Sequence, residues 1–159
     1  MTIFRAMENL NIIIRDAQEQ DMEAVHRLIT ELAIYEKAED QMVNSVQQLK
    51  MDGFGSRKLF DCIVAQQHDD IVGFALFYTS YSTWKGACLY LEDFLVTENF
   101  RGRGVGKLLF EQVFQIAKNR NVGRFEWQVL DWNEPAINFY KKYNAILDPE
   151  WLNGKIIFK

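Results

Sequence analysis

Three glycines and three cations crowd into seven residues at Arg101-Gly102-Arg103-Gly104-Val105-Gly106-Lys107. An apolar stretch that reads as a strand precedes them, and an amphipathic stretch that reads as a helix follows. Such a junction suits phosphate. The first turn of a helix carries backbone N–H groups without intrahelical acceptors, at the positive end of the helix dipole. Glycines let the backbone approach phosphate oxygens closely, and Arg101, Arg103 and Lys107 add charge. The plainer alternative is a glycine-rich turn that only caps the helix. Two familiar phosphate patterns do not fit. A P-loop requires glycine at 101 and Ser or Thr at 108, where Arg and Leu stand. A dinucleotide fingerprint beginning at Gly102 requires glycine at 107, where Lys stands.

A second feature is the pair Glu92-Asp93 within an otherwise apolar run over residues 88–96. Side chains alternate across a strand, so one carboxylate is expected on each face. Burying an unpaired carboxylate is costly, so at least one should line a cavity or meet a partner. A third feature is Asn133-Glu134-Pro135-Ala136-Ile137-Asn138-Phe139-Tyr140. Helical spacing brings Asn133, Ile137 and Tyr140 or Lys141 near one face. Tyr140 is then either a working hydroxyl or a half-buried core aromatic.

These groups need elements to hold them. Residues 11–15 are short and β-branched, and predict a first strand after an irregular lead-in over 1–10. Met22, Val25, Leu28, Ile29 and Leu32 recur at helical spacing. The polar, acidic stretch 35–50 reads as a loop entering a second helix, broken at Gly53-Phe54-Gly55. Residues 60–66 and 71–79 read as strands joined by a polar turn at 67–70. Val105, Leu108, Leu109, Val113 and Ile116 mark the apolar face of the helix after the glycine turn. Residues 124–130 read as a further strand. Asn133 is a good N-cap and Pro135 fits a first turn. Residues 145–147 and 155–158 suit two short closing strands. The whole predicts one α/β domain over 1–159, built on a mixed, largely antiparallel sheet of about six or seven strands with about four helices.

Composition narrows the function. The chain of 159 residues is 48% hydrophobic, enough for one core and against wholesale disorder. The net charge of −4 argues against a nucleic-acid surface, where a basic patch is expected. Cys62 and Cys88 lack metal-site spacing and have no histidine cluster beside them, so no metal is expected. Two thiols with no secretion signal suit a reduced, cytoplasmic protein. The apolar run Ile12-Ile13-Ile14 is too short for a signal core or a membrane span.

Arg101-x-x-Gly104-x-Gly106, between strand and helix, resembles the acyl-CoA motif of the GCN5-related N-acetyltransferases (GNAT). A longer match resembles the diamine (spermidine/spermine) acetyltransferase branch of that superfamily. It is carried by Leu89-Tyr90-Leu91-Glu92-Asp93-Phe94, Asp52-Gly53-Phe54-Gly55, Ile29-x-Glu31-Leu32-Ala33-x-Tyr35-Glu36, and Asn133-Glu134-Pro135-x-Ile137-Asn138-Phe139-Tyr140-Lys141. One departure is Asn144, where members often have glycine; Asn tolerates a left-handed helix end.

The resemblance implies an acetyl-CoA-dependent N-acetyltransferase of GNAT fold that acts on a small polyamine- or diamine-like substrate. Thialysine, an amino acid or another small amine is the alternative, and a non-catalytic CoA-binding module a further one. By resemblance, Phe94, Leu95 and Val96 offer backbone groups to the pantetheine arm. Arg101, Gly102, Arg103, Gly104, Val105, Gly106 and Lys107 cradle the pyrophosphate. Asn133, Glu134, Pro135, Ala136, Asn138, Tyr140 and Lys142 complete the cofactor site. Glu92 takes the amine's proton, Tyr140 serves as the acid near the CoA sulfur, and transfer is direct within a ternary complex. Tyr35, Glu36, Trp84, Glu92, Trp127 and Gln128 are implied on the substrate side. Carboxylates beside aromatics suit an ammonium, although Trp84 and Trp127 could equally pack the sheet. The family also implies a homodimer, with no nucleic-acid or membrane partner.

Overall fold

The computed structural model describes residues 3–7 and 10–158. Six strands, β1 (Ile3–Met7), β2 (Ile12–Asp16), β3 (Asp61–Gln67), β4 (Asp70–Ser82), β5 (Gly86–Val96) and β6 (Arg124–Trp127), form one sheet in sequential order. Neighbours are antiparallel except β5 and β6, which are parallel. Four α-helices, α1 (Met22–Tyr35), α2 (Val46–Phe54), α3 (Val105–Asn119) and α4 (Glu134–Lys141), complete the order. The parallel step requires a crossover, and α3 supplies it. This is the α/β architecture with a largely antiparallel sheet that the sequence predicts.

Two compact units are present, Met1–Trp127 and Gln128–Lys159. In the first, α1 and α2 cover one face of the sheet. Met22, Val25, Leu28 and Leu49 pack with Val64, Phe74, Leu76 and Leu95. The periodicity read from the sequence explains α1: its buried residues Met22, Val25 and Leu28 lie on one stripe. Ser45 caps α2, its hydroxyl accepting from the Gln48 amide at 3.1 Å. Helix α3 buries Val105, Leu108, Leu109, Phe110, Val113 and Ala117. The Phe110 ring lies 5.4 Å from both Phe125 and Trp127.

The turn from β2 into α1 is locked by a buried ion pair. Arg15 donates to both carboxylate oxygens of Asp21, at 2.6 and 2.9 Å. Burial alone would raise the Asp21 pKa, but the bonds from Arg15 and the Gln18 amide outweigh it and hold the carboxyl below its ordinary value.

The second unit consists of α4 and irregular chain on either side of it. Asn133 caps α4 as expected, accepting from the Ala136 amide at 3.3 Å, with Pro135 in the first turn. Asn144 takes φ +56°, the left-handed conformation expected of it after the helix.

Three expectations are corrected. The lead-in is not irregular throughout, because Ile3–Met7 pairs antiparallel with β2. The strand expected over 124–130 ends at Trp127. The closing strands expected at 145–147 and 155–158 do not form. Strand propensity needs a neighbouring ladder to satisfy the backbone. Among the described residues none pairs with either segment, and Ile146, Leu152 and Phe158 remain exposed.

Candidate active site

Strand β5 carries the central irregularity. Leu76 of β4 faces Asp93, yet the next residue, Phe77, faces Leu91. Glu92 is therefore the extra residue of a β-bulge. The bulge corrects the expectation that Glu92 and Asp93 face opposite sides of the sheet. Directly paired residues share a face, and the pairs Phe74–Leu95, Leu76–Asp93 and Tyr78–Tyr90 all fall on alternate residues of β4. That face is the one α1 covers, since Phe74, Leu76 and Leu95 pack with Met22, Val25 and Leu28. Glu92 reaches the same side, where the Tyr78 hydroxyl donates to its Oε2 at 3.1 Å. Both carboxylates thus point one way.

The surroundings are electrostatically one-sided. Burial, then the charges of Glu92 and Glu36, push the Asp93 carboxyl up to about 7. Glu36, just past α1, is also raised by burial. The Tyr78 hydroxyl is pushed up to about 12 by burial and by Glu92, so it stays a proton donor at neutral pH. Tyr90 is raised as well, chiefly by burial and then by Glu92, and its ring stacks at a tilt 5.3 Å from that of Tyr78. Three acidic groups and two tyrosines gathered in this way favour a cationic ligand and a neutral–charged exchange near pH 7.

Beyond the bulge, the glycine turn has the form the motif predicts. A short turn, Glu98–Phe100, leads to Arg101. Gly102 takes φ +70° and Gly104 φ +87°, a region closed to most side chains. Gly104 is the N-cap of α3 and no side chain caps that helix. The first-turn amides of Val105, Gly106 and Lys107 thus face the loop without an i−4 carbonyl. A methyl group on Gly106 would meet Phe94 and Val96 only at 3.5 and 3.7 Å, ordinary contact distances. Packing within the protein therefore does not demand glycine there, whereas a ligand lying on the backbone would. The parallel ladder of β5 with β6 spans residues 88–91 and ends at the Leu91–Trp127 pair, while β5 runs on to Val96. An uncapped helix start beside a strand that outruns its neighbour fits an elongated phosphate-bearing ligand, such as the acetyl-CoA that the resemblance implies.

The expected site residues separate into groups. Glu36 and Glu92 both act on Asp93, the other half of the carboxylate pair, and Glu92 also meets Tyr78 and acts on Tyr90, two tyrosines that sequence reasoning assigned no role. Only the bulge reveals them. Arg101 is exposed but folds back onto the domain: its Nε donates to the Val96 carbonyl at 2.7 Å, and its guanidinium lies 5.4 Å from the centre of the Tyr35 ring. Arg103 and Lys107 remain exposed on the loop. Trp127 packs against Phe110 and Phe125, the sheet-packing alternative open from the sequence. Trp84 is 85% exposed at the tip of the β4–β5 hairpin, and the strand from Gly86 to Glu92 alone spans roughly 20 Å at ~3.3 Å per residue. In the second unit, Tyr140 is buried on α4, Lys142 is exposed, and the Gln128 side chain donates to Asn153 at 2.6 Å. Among the described residues, no group of His, Cys, Asp and Glu could hold a metal ion, and no helix is long and apolar enough to cross a membrane.

Comparison with known proteins agrees with this geometry. The chain is 40% identical over 142 residues to thialysine N-epsilon-acetyltransferase of Bos taurus, covering 84% of each chain. It is 37% identical over 140 residues to spermidine/spermine N(1)-acetyltransferase-like protein 1 of Homo sapiens, covering 84% of this chain but 20% of that longer protein. An aminoglycoside acetyltransferase from an uncultured soil metagenomic sample shares the fold alone, with a TM-score of 0.77 at 18% identity over 96% of this chain and 99% of the other. Residues 22–145 match the acetyltransferase (GNAT) family. The chain therefore belongs to the GNAT family, and is an acetyl-CoA-dependent N-acetyltransferase whose acceptor is a small amine.

Proposed function

We propose that the acceptor is the side-chain amine of a thialysine-like amino acid, and that both units together form one acetyltransferase domain over 1–159. The observation that carries the acceptor assignment is the pair Glu92 and Asp93, turned to one side by the bulge, with Glu36 at the end of α1 acting on Asp93. The thialysine acetyltransferases at about 40% identity support it further, since they align along most of both chains. They favour this acceptor over the polyamine that the sequence resemblance implies. The polyamine stays as a second reading, because several carboxylates on one face also suit a polycation. The family match crosses from the first unit into the second, in support of a single domain.

Acetyl-CoA supplies the thioester whose carbonyl carbon an uncharged amine attacks. The protein's part begins with the ammonium, which is drawn to Glu36 and Asp93. Glu92 takes one proton from it at a carboxylate oxygen, directly or through one water. The freed lone pair then forms the amide bond as the carbon–sulfur bond breaks. The Tyr140 hydroxyl gives its proton to the departing sulfur. The attacking nitrogen sheds its second proton, which returns through solvent to the Tyr140 phenolate, and Glu92 releases the first to water, so charge balances without a covalent acyl-enzyme. Cys62 suits no nucleophilic role, since burial raises its thiol pKa far above neutrality. Phe94, Leu95 and Val96 are assigned to the pantetheine arm, and the loop 102–107 with Arg103 and Lys107 to the pyrophosphate. Asn133, Glu134, Pro135, Ala136, Asn138 and Lys142 are assigned to the remainder of the cofactor. The free, buried Cys62 and Cys88 support a reducing, cytoplasmic setting. The apolar residues exposed between 146 and 158 support a homodimer.

An amine panel followed by CoA thiol release tests the acceptor. It spans thialysine, lysine, ornithine, spermidine, putrescine and a histone-tail peptide, with Tyr140→Phe run beside the parent. Thialysine is expected to give the highest kcat/KM, with kcat reduced about 10²-fold or more in Tyr140→Phe. A preference for spermidine would transfer the assignment to the polyamine reading. Full activity in Tyr140→Phe would remove Tyr140 as the acid.

A further inference from the structure

We propose that Glu31 of α1 is a positioning residue for cofactor binding, holding both ends of the chain that enters the glycine turn. The proposal rests on the loop 102–107 as the pyrophosphate cradle. Two groups from that entry converge on this one carboxylate. The Thr97 hydroxyl, at the end of β5, lies 3.0 Å from Glu31 Oε2 and 3.3 Å from Oε1. The Arg101 guanidinium donates from Nη2 to Oε1 at 3.3 Å. Arg101 also bonds the Val96 carbonyl, so it ties the last residue of the strand to the helix.

The loop needs such an anchor. It contains two glycines at positive φ, and a side chain placed on Gly102 would meet nothing within 4 Å. A turn that stands off the protein and is rich in glycine has a soft path. Its direction is then set where it leaves the body of the domain, at Thr97 and Arg101.

Charge sharpens the argument. A carboxylate near a pyrophosphate cradle opposes the ligand by simple Coulomb repulsion. Glu31 can therefore assist binding only by holding structure, and it spends its charge on Arg101. If instead it were an incidental surface acid, removing its charge would free Arg101 for phosphate and tighten binding. The two cases differ in sign.

The test is Glu31→Gln, read first by calorimetric titration with CoA and then by steady-state kinetics. Both the CoA Kd and the acetyl-CoA KM are expected to rise about fivefold, a modest factor suited to a half-exposed pair. The acceptor KM and kcat should stay within about twofold. Thr97→Val removes one anchor from the other end and is expected to weaken CoA binding in the same direction. The double variant should lose less than the product of the single effects, because both bonds end on one carboxylate. Thr97→Val also keeps the test open if Glu31→Gln folds poorly, which thermal melting would reveal. Arg103→Ala separates the proposal from the loop assignment beneath it. Weak CoA binding in Arg103→Ala, with unchanged or tighter binding in Glu31→Gln, overturns the role of Glu31 and leaves the cradle standing. Unchanged binding in all three single variants overturns the cradle as well.

Discussion

Tyr78 and Glu92 are joined by a 3.1 Å hydrogen bond from strands whose register slips by one residue just beside them. The slip frees Glu92 from a direct cross-strand partner and leaves its charge acting on Asp93, as that of Glu36 also does. The tyrosine, with its hydroxyl pushed up to about 12, steadies that carboxylate as a donor across the whole working range. The base of the proposed reaction is thus held by strand geometry and one phenol.

Glu92→Gln keeps the shape and the bond from Tyr78 but cannot accept the amine's proton. Its kcat at pH 7.5 is expected to fall by about 10²- to 10⁴-fold, the usual contribution of a positioned base. CoA binding should be unchanged. Raising the pH toward the acceptor's own pKa should restore part of the rate, because more amine then arrives unprotonated. A kcat within threefold of the parent at pH 7.5 would remove Glu92 from that role.

Asp93 leads to a stability prediction with a definite sign. Its folded carboxyl titrates near 7, raised by burial and then by Glu92 and Glu36, against an ordinary value of 3.8. Folding therefore favours the protonated form. Stability from this group is complete below about pH 3.8 and is lost as pH climbs through 7. Asp93→Asn mimics the neutral state at every pH. Its Tm should lie well above the parent's at pH 8, with the gap closing as pH falls toward 4. A constant gap across that range would show that Asp93 is not held neutral in the fold.

The ion pair at the start of α1 behaves oppositely. Arg15 and Asp21 are 4% and 6% exposed and bind in fork fashion. Arg15→Met leaves Asp21 buried without its guanidinium, a loss expected to cost about 3–5 kcal/mol by urea unfolding at pH 7. Asp21 is held below its ordinary value, so the parent keeps this stabilisation above pH 3.8 and loses it as the pH falls further. The difference between variant and parent should shrink in acid. A loss under 1 kcal/mol at pH 7 would mean that relaxation or water replaces the pair.

The glycine turn, α3 and the cap at Asn133 were legible because each depends on local chemistry: free amides, positive φ, a short polar side chain accepting from the first turn. The six-stranded sheet was legible from alternation and β-branched runs, except where pairing decides. Residues 155–158 have the composition of a strand and form none, because a strand is completed by a neighbour and not by its own residues. The common orientation of Glu92 and Asp93 was hidden for a related reason. Alternation is a rule about single strands, whereas a bulge is a mismatch between two. Arg101 reads as a phosphate ligand from its place in the motif, and its contacts with Val96, Glu31 and Tyr35 lie beyond any local reading. Two of those three lie on α1, some seventy residues away in sequence.

The ladder on either side of Glu92 is already in step without it. Phe77 faces Leu91 and Leu76 faces Asp93, so excising Glu92 would leave an unbroken strand with every neighbouring side chain on its present face. In the grammar of the sheet, the proposed base is an insertion. A variant with Glu92 deleted is therefore expected to keep the core and the fold while losing the proposed base, so that one codon separates the two.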